Sequence, residues 1–440
     1  MAFFPCTVPP PLPTEEGGSL SPSMAILDNI AYLCPDAVFN ATTAIGYMST
    51  GARIQASFCV ARPPHFSYLC VHFPGPVVGP AVGTLFGPAA GTPAVHCVRV
   101  PPLVISTHAD LALIRVSVPG VRCPDKAIDY FVYTTRPRPG ASSLDLLPRL
   151  DGYPRFRDEQ AAILRCSSSR YVIAALRTTR NNMEFRLHLY DSVTCRWTTK
   201  LVLFLSSTPP PRSSCLDPPP SAGGILFCNV LDEHPVLRDM PLPKPARRNM
   251  STFCRGSPCP RRDIAVVKLP EQQQLSIKYV EMGSYPRVEH SRSGSDDDGG
   301  GTICYYWTAT VWSMPVPIGS WNDWHKDCKI DLANIVVDNP LLLLRLSIDP
   351  EEATVAFRRL FTSHPTLGLG MDGHVVIYFF SKVDPMDDGG WIIAVGVRDS
   401  KLQGIAELDE RKHIFFSHYF CAAEISKYLI NATGEAGTLA

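Results

Sequence analysis

Residues 183–201 read MEFRLHLYDSVTCRWTTKL, and residues 391–408 read WIIAVGVRDSKLQGIAEL. Each stretch contains an apolar run typical of a β-strand, a polar turn and a second run. The turns are Tyr190-Asp191-Ser192 and Arg398-Asp399-Ser400, and their Asp and Ser residues favour tight turns. Another strand-like run precedes each stretch, at residues 171–176 and 374–380. This recurring strand–strand–turn–strand unit predicts an all-β repeat protein, a class that usually works by holding a partner.

The repeat also predicts an architecture. Residues 161–205 contain four strand-like runs, which is the size of one propeller blade. A period of about 45–50 residues predicts a β-propeller-like fold of about six or seven irregular four-stranded blades. We expect one β-repeat domain over residues 24–430, with a short C-terminal helix within residues 422–429. Residues 1–23 are Pro-rich and are predicted to be a disordered leader, and residues 431–440 a flexible tail.

Composition restricts the possible functions. The chain has 440 residues and is 45% hydrophobic, which is enough to build a substantial core. Its 41 basic and 41 acidic residues give a formal net charge of zero. A neutral chain is a poor candidate for nucleic-acid or membrane-surface binding, so neither partner is expected. The 42 prolines and 30 glycines interrupt long helices but permit short strands.

The cysteines and the N-terminus predict a reducing compartment. Residues 1–18 have no basic segment followed by an unbroken apolar segment, so no secretory signal is expected. The most apolar stretch, residues 76–91, is interrupted by Pro and Gly and is not a transmembrane helix. The 15 cysteines are scattered and form no C-x-x-C pair, so we expect reduced, buried thiols. The predicted location is the cytoplasm or the nucleus.

One short motif resembles a cofactor loop. Residues 368–373 match G-x-G-x-x-G, which binds dinucleotides when a strand precedes it and a helix follows. A strand-like run, HVVIYFF, follows instead. The motif therefore predicts a turn between strands, and no cofactor is expected.

The scattered Cys and His residues do not form a recognisable metal or catalytic site in the sequence. Zinc requires four converging ligands, and no tight Cys pair lies close to a His pair. No G-x-S-x-G elbow occurs, and isolated Cys–His pairings arise easily among 15 cysteines and 12 histidines. We therefore predict no catalytic, cofactor-binding or metal-binding residue. The residues considered for metal are Cys254, Cys259, His290, Cys304, His413 and His418.

Two charged runs and a group of tryptophans each allow two interpretations. The acidic run Asp296–Asp298 favours a solvated loop over a calcium or phosphorylation site. The basic residues of 244–262 favour a solvated loop over an acidic or RNA partner, because the run lacks interleaved aromatics of the stacking kind and holds one aromatic residue, Phe253. Paired strands more often pack their tryptophans between sheets than around a ligand groove. The tryptophans in question are Trp307, Trp312, Trp321 and Trp324.

The order of several motifs carries a family resemblance. Asn40-Ala-Thr-Thr-Ala44, Arg62-Pro63-Pro64 and Asp129-Tyr130-Phe131-Val132-Tyr133 are followed by Cys228-Asn-Val-Leu231 and then by WTATVW at residues 307–312. This order resembles the grass-expanded plant domain-of-unknown-function family 1618 over roughly residues 24–410. The resemblance implies a plant intracellular protein and transfers no catalytic residue. Asn229 stands where the family often has Asp, so any role of a carboxylate at that position is in doubt for this chain.

These observations leave two hypotheses for function. The first is a non-catalytic protein-interaction scaffold that binds a protein partner, as a monomer, through rim loops. The second is a hydrolase-like enzyme with its site in a central propeller channel. We favour the first hypothesis, a protein that is not an enzyme. Long insertions carry binding sites in such folds, and here they are predicted at residues 74–96, 206–223, 243–262 and 285–301.

Overall fold

A computed structural model describes the fold, and it is almost entirely β-structure. The structure describes residues 24–34, 36–73, 101–118, 128–136, 142–150, 157–181, 183–205, 224–246, 249, 260–268, 274–289, 302–320, 323–331, 335, 344, 357–358, 360–370, 372–384, 389–408 and 420–429. The predicted leader at 1–23 and tail at 431–440 lie outside these residues.

The first two blades come from the N-terminal part of the chain. Blade 1 consists of β1 (Ala25–Asp28), β2 (Tyr32–Leu33), β3 (Ala44–Tyr47), β4 (Arg53–Cys59) and β5 (Phe66–His72). Blade 2 consists of β6 (Leu103–His108), β7 (Leu111–Ser117), β8 (Ile128–Thr134) and β9 (Ser143–Leu146). Blade 2 is a simple antiparallel meander, in which each strand pairs with the next along the chain.

Blade 3 is larger. It begins with β10 (Ala161–Arg165), β11 (Tyr171–Thr178), β12 (Glu184–Asp191) and β13 (Arg196–Leu205), which confirm the strands predicted from the opening motif. It also contains β14 (Gly224–Phe227) and β15 (Leu237–Pro241), with β15 parallel to the end of β13. The β12–β13 turn leaves Asp191 opposite Arg196, and this pairing fixes the register of the hairpin.

Blades 4 and 5 are four-stranded meanders. Blade 4 consists of β16 (Arg262–Lys268), β17 (Leu275–Glu289), β18 (Thr302–Pro315) and β19 (His325–Asp331). Blade 5 consists of β20 (Phe361–Leu369), β21 (Val375–Lys382), β22 (Gly390–Gly396) and β23 (Leu402–Leu408). Strands β20, β21 and β22 have no exposed position, so residues 375–380 of the predicted apolar run 374–380 form a buried strand.

The C-terminal segment closes the ring. Strand β24 (Phe420–Ala423) pairs antiparallel with β1, with Ala25 opposite Ala423 and Asp28 opposite Phe420. The short helix α1 (Ser426–Leu429) follows β24 and confirms the helix predicted at residues 422–429 over its second half, whereas residues 422 and 423 belong to β24. Closure leaves the first blade built from both ends of the domain, which protects strand edges that would otherwise remain open.

The propeller prediction is confirmed, but the blade number is wrong: the ring has five blades, not six or seven. The first strands of blades 3, 4 and 5 begin at Ala161, Arg262 and Phe361, about twice the predicted spacing. Blade 3 uses the additional length for two further strands, and blade 4 for strands of 15 and 14 residues. The period came from residues 161–205, a compact block, and so underestimated the spacing between the later blades.

The core lies mainly between neighbouring blades. Burial of these apolar faces is the main stabilising term of the fold. At the blade 1–blade 2 contact, Phe58 packs edge-on against Tyr133, with ring centroids 4.9 Å apart. At the other contacts, residues of neighbouring blades share buried clusters: Leu113 and Ile173 for blades 2 and 3, Trp307 and Ile393 for blades 4 and 5, and Tyr378 and Phe420 for blades 5 and 1.

The predicted rim loops have mixed outcomes. The insertions at 74–96 and 206–223, and most of 243–262, lie outside the described residues. The prediction for 285–301 is wrong over residues 285–289, which extend β17 and pair with β18. The pairing of β16 with β17 extends only as far as Arg262 and Glu281, so β16 does not reach Pro286. Proline has no N–H to donate to a neighbouring strand, and it is tolerated at such a position. No helix in the described residues is long and apolar enough to cross a membrane.

Candidate functional site

The first strands of the blades bring polar residues together around the inner side of the ring. Strand β6 contacts β10, β16 contacts β20, and β20 contacts β24. We call the polar side chains on three of these adjoining strands the axial polar set: Asp263, Ser363, His364, Thr366 and Cys421.

Asp263 has the most unusual electrostatics of this set. Its Oδ2 accepts a hydrogen bond from the backbone N–H of Leu367 on β20, at 2.8 Å. Burial raises the pKa of the Asp263 carboxyl to about 6, although backbone N–H groups of Leu367 and Ile264 oppose the shift. The carboxyl therefore changes charge close to neutral pH, and it joins blade 4 to blade 5.

Cys421 lies on the closing strand, near Asp263. Burial and, secondarily, the Asp263 charge raise the pKa of the Cys421 thiol to about 12. Because the thiolate is the nucleophilic form, a thiol that stays protonated at neutral pH is inert. Cys421 is therefore unsuited to nucleophilic catalysis.

A bulge on β20 presents Ser363 and His364. The register with β21 shifts between Ser363 and Thr366, and His364 has a φ of 53°, which is uncommon for a residue with a Cβ. Its Nδ1 lies 2.8 Å from Ser363 Oγ, and its backbone N–H donates to the Pro260 carbonyl at 3.0 Å. Strained bulges often occur at functional sites, so this pair is a candidate for chemistry.

The hydrogen bonds of the axial polar set join neighbouring blades and do not form a catalytic arrangement. Thr366 Oγ1 donates to the Phe420 carbonyl at 3.4 Å, which joins blade 5 to the closing strand. Asp263 accepts hydrogen bonds from the backbone N–H groups of Leu367 and Ile264, whereas a catalytic triad needs a carboxylate that orients the imidazole. The geometry thus accounts for Asp263 and Thr366 as links between blades.

A different kind of surface lies on the outer strands. On β3, Ala44 and Gly46 are buried while Ile45 and Tyr47 are exposed, and Tyr47 is 62% exposed. On β13, Leu201 and Leu203 are 60% and 55% exposed, although Val202 and Phe204 between and beside them are buried. Solvated faces of outer strands normally carry polar residues, so these two surfaces are candidate contact sites.

The β13 surface continues across the sheet in a defined row. Arg177 on β11 is opposite Arg186 on β12, which is opposite Leu201 on β13. Glu184 is opposite Leu203 in the next row. We call this surface the blade-3 ledge and define it as Arg177, Glu184, Arg186, Leu201 and Leu203. It was missed from the sequence, although the five consecutive apolar residues at 201–205 signal a strand that is apolar on both faces.

Most of the residues considered for metal binding lie outside the described part of the chain. Cys304 is buried, whereas Cys254, Cys259, His290, His413, His418 and the acidic run Asp296–Asp298 lie outside the described residues. No group of three metal-ligating side chains with suitable geometry occurs in the part of the chain that the structure describes.

The glycine motif lies in a turn. The backbone N–H of Gly370 donates to the His374 carbonyl at 2.8 Å, and Gly373 has a φ of 78°, which glycine adopts without strain. Because β20 precedes the turn and β21 follows it, no helix N-terminus is available for a pyrophosphate. The interpretation as a turn between strands is confirmed.

The tryptophans mainly pack within and between blades. Trp307 is buried between blades 4 and 5 and donates its Nε1–H to the Phe357 carbonyl at 3.4 Å. Trp312 and Trp324 both lie against the Tyr279 ring, and Trp324 Nε1–H donates to the Pro241 carbonyl of blade 3 at 2.9 Å. Trp321 lies outside the described residues. Trp307, Trp312 and Trp324 therefore have a packing role, as the sequence favoured.

Comparison with known proteins supports the family resemblance. The model of the family described as "Protein of unknown function (DUF1618)" matches residues 221–378. No curated protein matches the chain. Among solved structures it is similar to the α-L-arabinofuranosidase Arb93A from Fusarium graminearum in complex with an iminosugar inhibitor, with 10% identity and a TM-score of 0.21. That match covers 87% of this chain and 97% of the other, and at this TM-score it carries no information about activity.

Proposed function

We propose that this chain is a non-catalytic protein-interaction scaffold that binds its partners through the outer strands of the propeller. The observation that carries the proposal is the exposure of large apolar side chains at alternate positions of β3 and β13. Contiguous exposed apolar surface mainly marks sites of association, and Tyr is among the side chains that most often dominate binding energy.

The electrostatics of the inner strands support the same proposal. A nucleophilic cysteine needs a lowered pKa, whereas the pKa of Cys421 is raised to about 12. Asp263 binds a backbone N–H, so its carboxyl has a role in holding blades 4 and 5 together. The outer strands, by contrast, leave their apolar groups without such a structural role.

A hydrolase remains the second candidate because of one observation. Burial raises the pKa of Asp263 to about 6, and a carboxyl that titrates near neutral pH is suited to general acid–base catalysis. In that case Asp263 is the residue whose loss abolishes turnover.

We propose that the chain acts as a monomer in the cytoplasm or nucleus. Free thiols support a reducing compartment: Cys59 Sγ and Cys70 Sγ lie 4.0 Å apart in blade 1 without forming a disulfide. Trapping of free thiols in denaturant at the moment of cell lysis, followed by mass spectrometry, tests the compartment. Complete alkylation of both cysteines agrees with the proposal, and a Cys59–Cys70 disulfide contradicts it.

The experiment for the scaffold compares three immobilised forms of the full chain. Wild-type protein, the surface variant Tyr47→Ser/Leu203→Ser and the inner-strand variant Asp263→Asn are incubated with extract from the source cells, and bound proteins are quantified. We expect a reproducible set of proteins on wild type and on Asp263→Asn that is lost from the surface variant.

A parallel assay tests the enzyme. The same three proteins are incubated with chromogenic ester, glycoside and phosphate substrates. No turnover is expected for any of them. Turnover that Asp263→Asn abolishes, together with the absence of a reproducible partner, overturns the scaffold in favour of the hydrolase.

A further inference from the structure

The blade-3 ledge begins where the contact between blades 2 and 3 ends. On the side of blade 3 that faces blade 2, the first row consists of Ile173, Tyr190 and Trp197. Ile173 and Tyr190 pack into the apolar cluster shared with blade 2, and Trp197 Nε1–H donates to the Pro148 carbonyl at 2.7 Å. This row fixes the sheet against its neighbour.

The rows further along the strands leave that contact progressively, and Ala175 of the second row still packs into the shared cluster. Ala175, His188 and Thr199 form the second row, in which His188 is buried and its Nδ1 lies 2.8 Å from Thr199 Oγ1. Because side chains alternate between the two faces of a strand, Arg177, Arg186 and Leu201 project from the same face as this row. Burial decreases along this face from Ile173 to Leu203.

The charges of the ledge have an unusual arrangement. Arg177 and Arg186 are directly opposite each other, and like charges at opposed positions of an antiparallel pair are destabilising. Glu184 supplies one negative charge, so the ledge carries a positive excess in a chain whose formal net charge is zero. The field of the two arginines reaches the second row: after burial, they are the causes that lower the pKa of His188.

We propose that the blade-3 ledge binds an acidic segment of a partner protein, with carboxylates on Arg177 and Arg186 and neighbouring apolar side chains on Leu201 and Leu203. Charge complementarity argues for the acidic residues, because guanidinium groups bind carboxylates in a bidentate manner. The exposed leucines argue for apolar residues beside them, since burying both removes apolar surface from water.

This inference rests on the proposed scaffold function and names the partner chemistry of one of its surfaces. A purely ionic polymer satisfies the arginines and leaves Leu201 and Leu203 exposed. A purely apolar partner buries the leucines but also removes water from the two guanidinium groups, which is costly. A segment that combines both kinds of side chain fits the whole ledge.

The test measures binding of a fluorescent peptide to the full chain by anisotropy. The probe repeats Asp-Glu-Leu-Phe three times, and two control peptides replace either its acids by Lys or its apolar residues by Ser. We expect the probe to bind and both controls to bind at least about tenfold more weakly, with affinity falling as salt is raised.

Variants of the chain locate the binding. We expect Arg186→Glu and Leu201→Ser each to weaken binding about tenfold or more, and Arg186→Lys to weaken it less because the charge remains. Arg53→Glu and Leu231→Ser are matched controls at exposed positions outside the ledge, and we expect wild-type affinity from both. Thermal melting of each variant establishes that it is folded.

Several results overturn the inference. These are no binding of the probe to wild type, equal binding by the folded ledge variants, or binding of single-stranded RNA that Arg186→Glu loses and Leu201→Ser keeps. Self-association of wild type that Leu201→Ser abolishes assigns the ledge to a second copy of the chain instead. If proteins captured from extract persist on the ledge variants, the scaffold function stands while the ledge assignment fails.

Discussion

Asp263 of β16 accepts a hydrogen bond from the backbone N–H of Leu367 on β20, with 2.8 Å between Oδ2 and N. This bond joins the innermost strands of blades 4 and 5 at a position where burial disfavours the charged carboxylate. A protonated carboxyl retains an oxygen that accepts the same bond. The link therefore survives protonation, whereas the cost of burying a charge disappears.

Asp263→Asn is expected to change how stability depends on pH. The pKa of Asp263 is raised to about 6 in the folded state from 3.8 in the unfolded chain, so the folded state binds the proton more tightly. Ionisation therefore costs stability, fully above about pH 6 and not at all below about pH 4, with an upper limit of roughly 3 kcal/mol. Denaturant unfolding at pH 4.5 and 7.5 measures the effect.

The comparison between the two proteins isolates this residue from other titrating groups. Asn keeps an acceptor for Leu367 N–H and has no charge, so the variant is expected to gain stability relative to wild type at pH 7.5. The difference between the two should shrink as pH falls to 4.5. A variant that is less stable than wild type at both pH values contradicts the assignment of the penalty to the buried charge.

Arg165→Ala is expected to destabilise the contact between blades 2 and 3. Arg165 forms a bidentate pair with Asp110, in which Nε donates to Oδ1 at 2.7 Å and Nη2 to Oδ2, and both side chains are largely buried. Removing one partner leaves the other charge desolvated, at a cost of about 2 kcal/mol. Guanidinium denaturation of the purified variant measures this loss.

An exposed ion pair supplies the matched control for Arg165. Arg170 donates to Asp191 at 2.7 Å, but its side chain is 45% exposed. Arg170→Ala should leave stability unchanged within experimental error, because solvent screens this pair. If both substitutions lower the free energy of unfolding equally, burial does not decide how much an ion pair contributes to stability.

Local patterns predicted the strands but not their long-range pairing. Alternating apolar residues and the turn at Asp191-Ser192 are sufficient for the β12–β13 hairpin, since the turn fixes the register. The pairing of β24 with β1 joins opposite ends of the described chain, and no local periodicity encodes it. The blade number also depends on such distant pairings, so a period taken from one compact block overestimated it.

The candidate sites were hidden for the same reason. Asp263 is an ordinary residue near the start of a strand until β20 supplies Leu367 N–H and buries the carboxyl. Arg177 and Arg186 become neighbours only through the β11–β12 register. The bulge at His364, where φ is 53°, was also missed, although Pro365 inside a strand-like run is a residue typical of bulges.

The described cysteines should differ widely in reactivity. Cys195 is exposed in the β12–β13 turn, whereas the pKa of Cys421 is raised to about 12 by burial and by Asp263. Because alkylation requires the thiolate, iodoacetamide at pH 8 should modify Cys195 well before Cys421. Peptide mass spectrometry over a time course measures both rates in one sample.

Asp263→Asn extends this labelling experiment. Removal of the nearby negative charge lowers the pKa of Cys421, although burial continues to raise it, so its alkylation should become moderately faster. Cys195 serves as the internal control and should react at its wild-type rate. Faster reaction of both cysteines indicates general loosening of the fold and contradicts a local electrostatic effect.

Phe420→Ala tests whether β24 closes the propeller. Phe420 is 9% exposed, and its ring lies 5.9 Å from that of Phe66 in blade 1 and 6.3 Å from that of Phe380 in blade 5. Truncation leaves a cavity at the contact between the first and last blades, so we expect a loss of about 3–4 kcal/mol in unfolding free energy. Phe39→Ala, at a residue that is 69% exposed, is the control and should cost far less. Equal effects of the two substitutions contradict the closure. Faster hydrogen exchange of the β1 and β20 amides in Phe420→Ala alone supports it, because opening the ring exposes the backbone groups of these strands first.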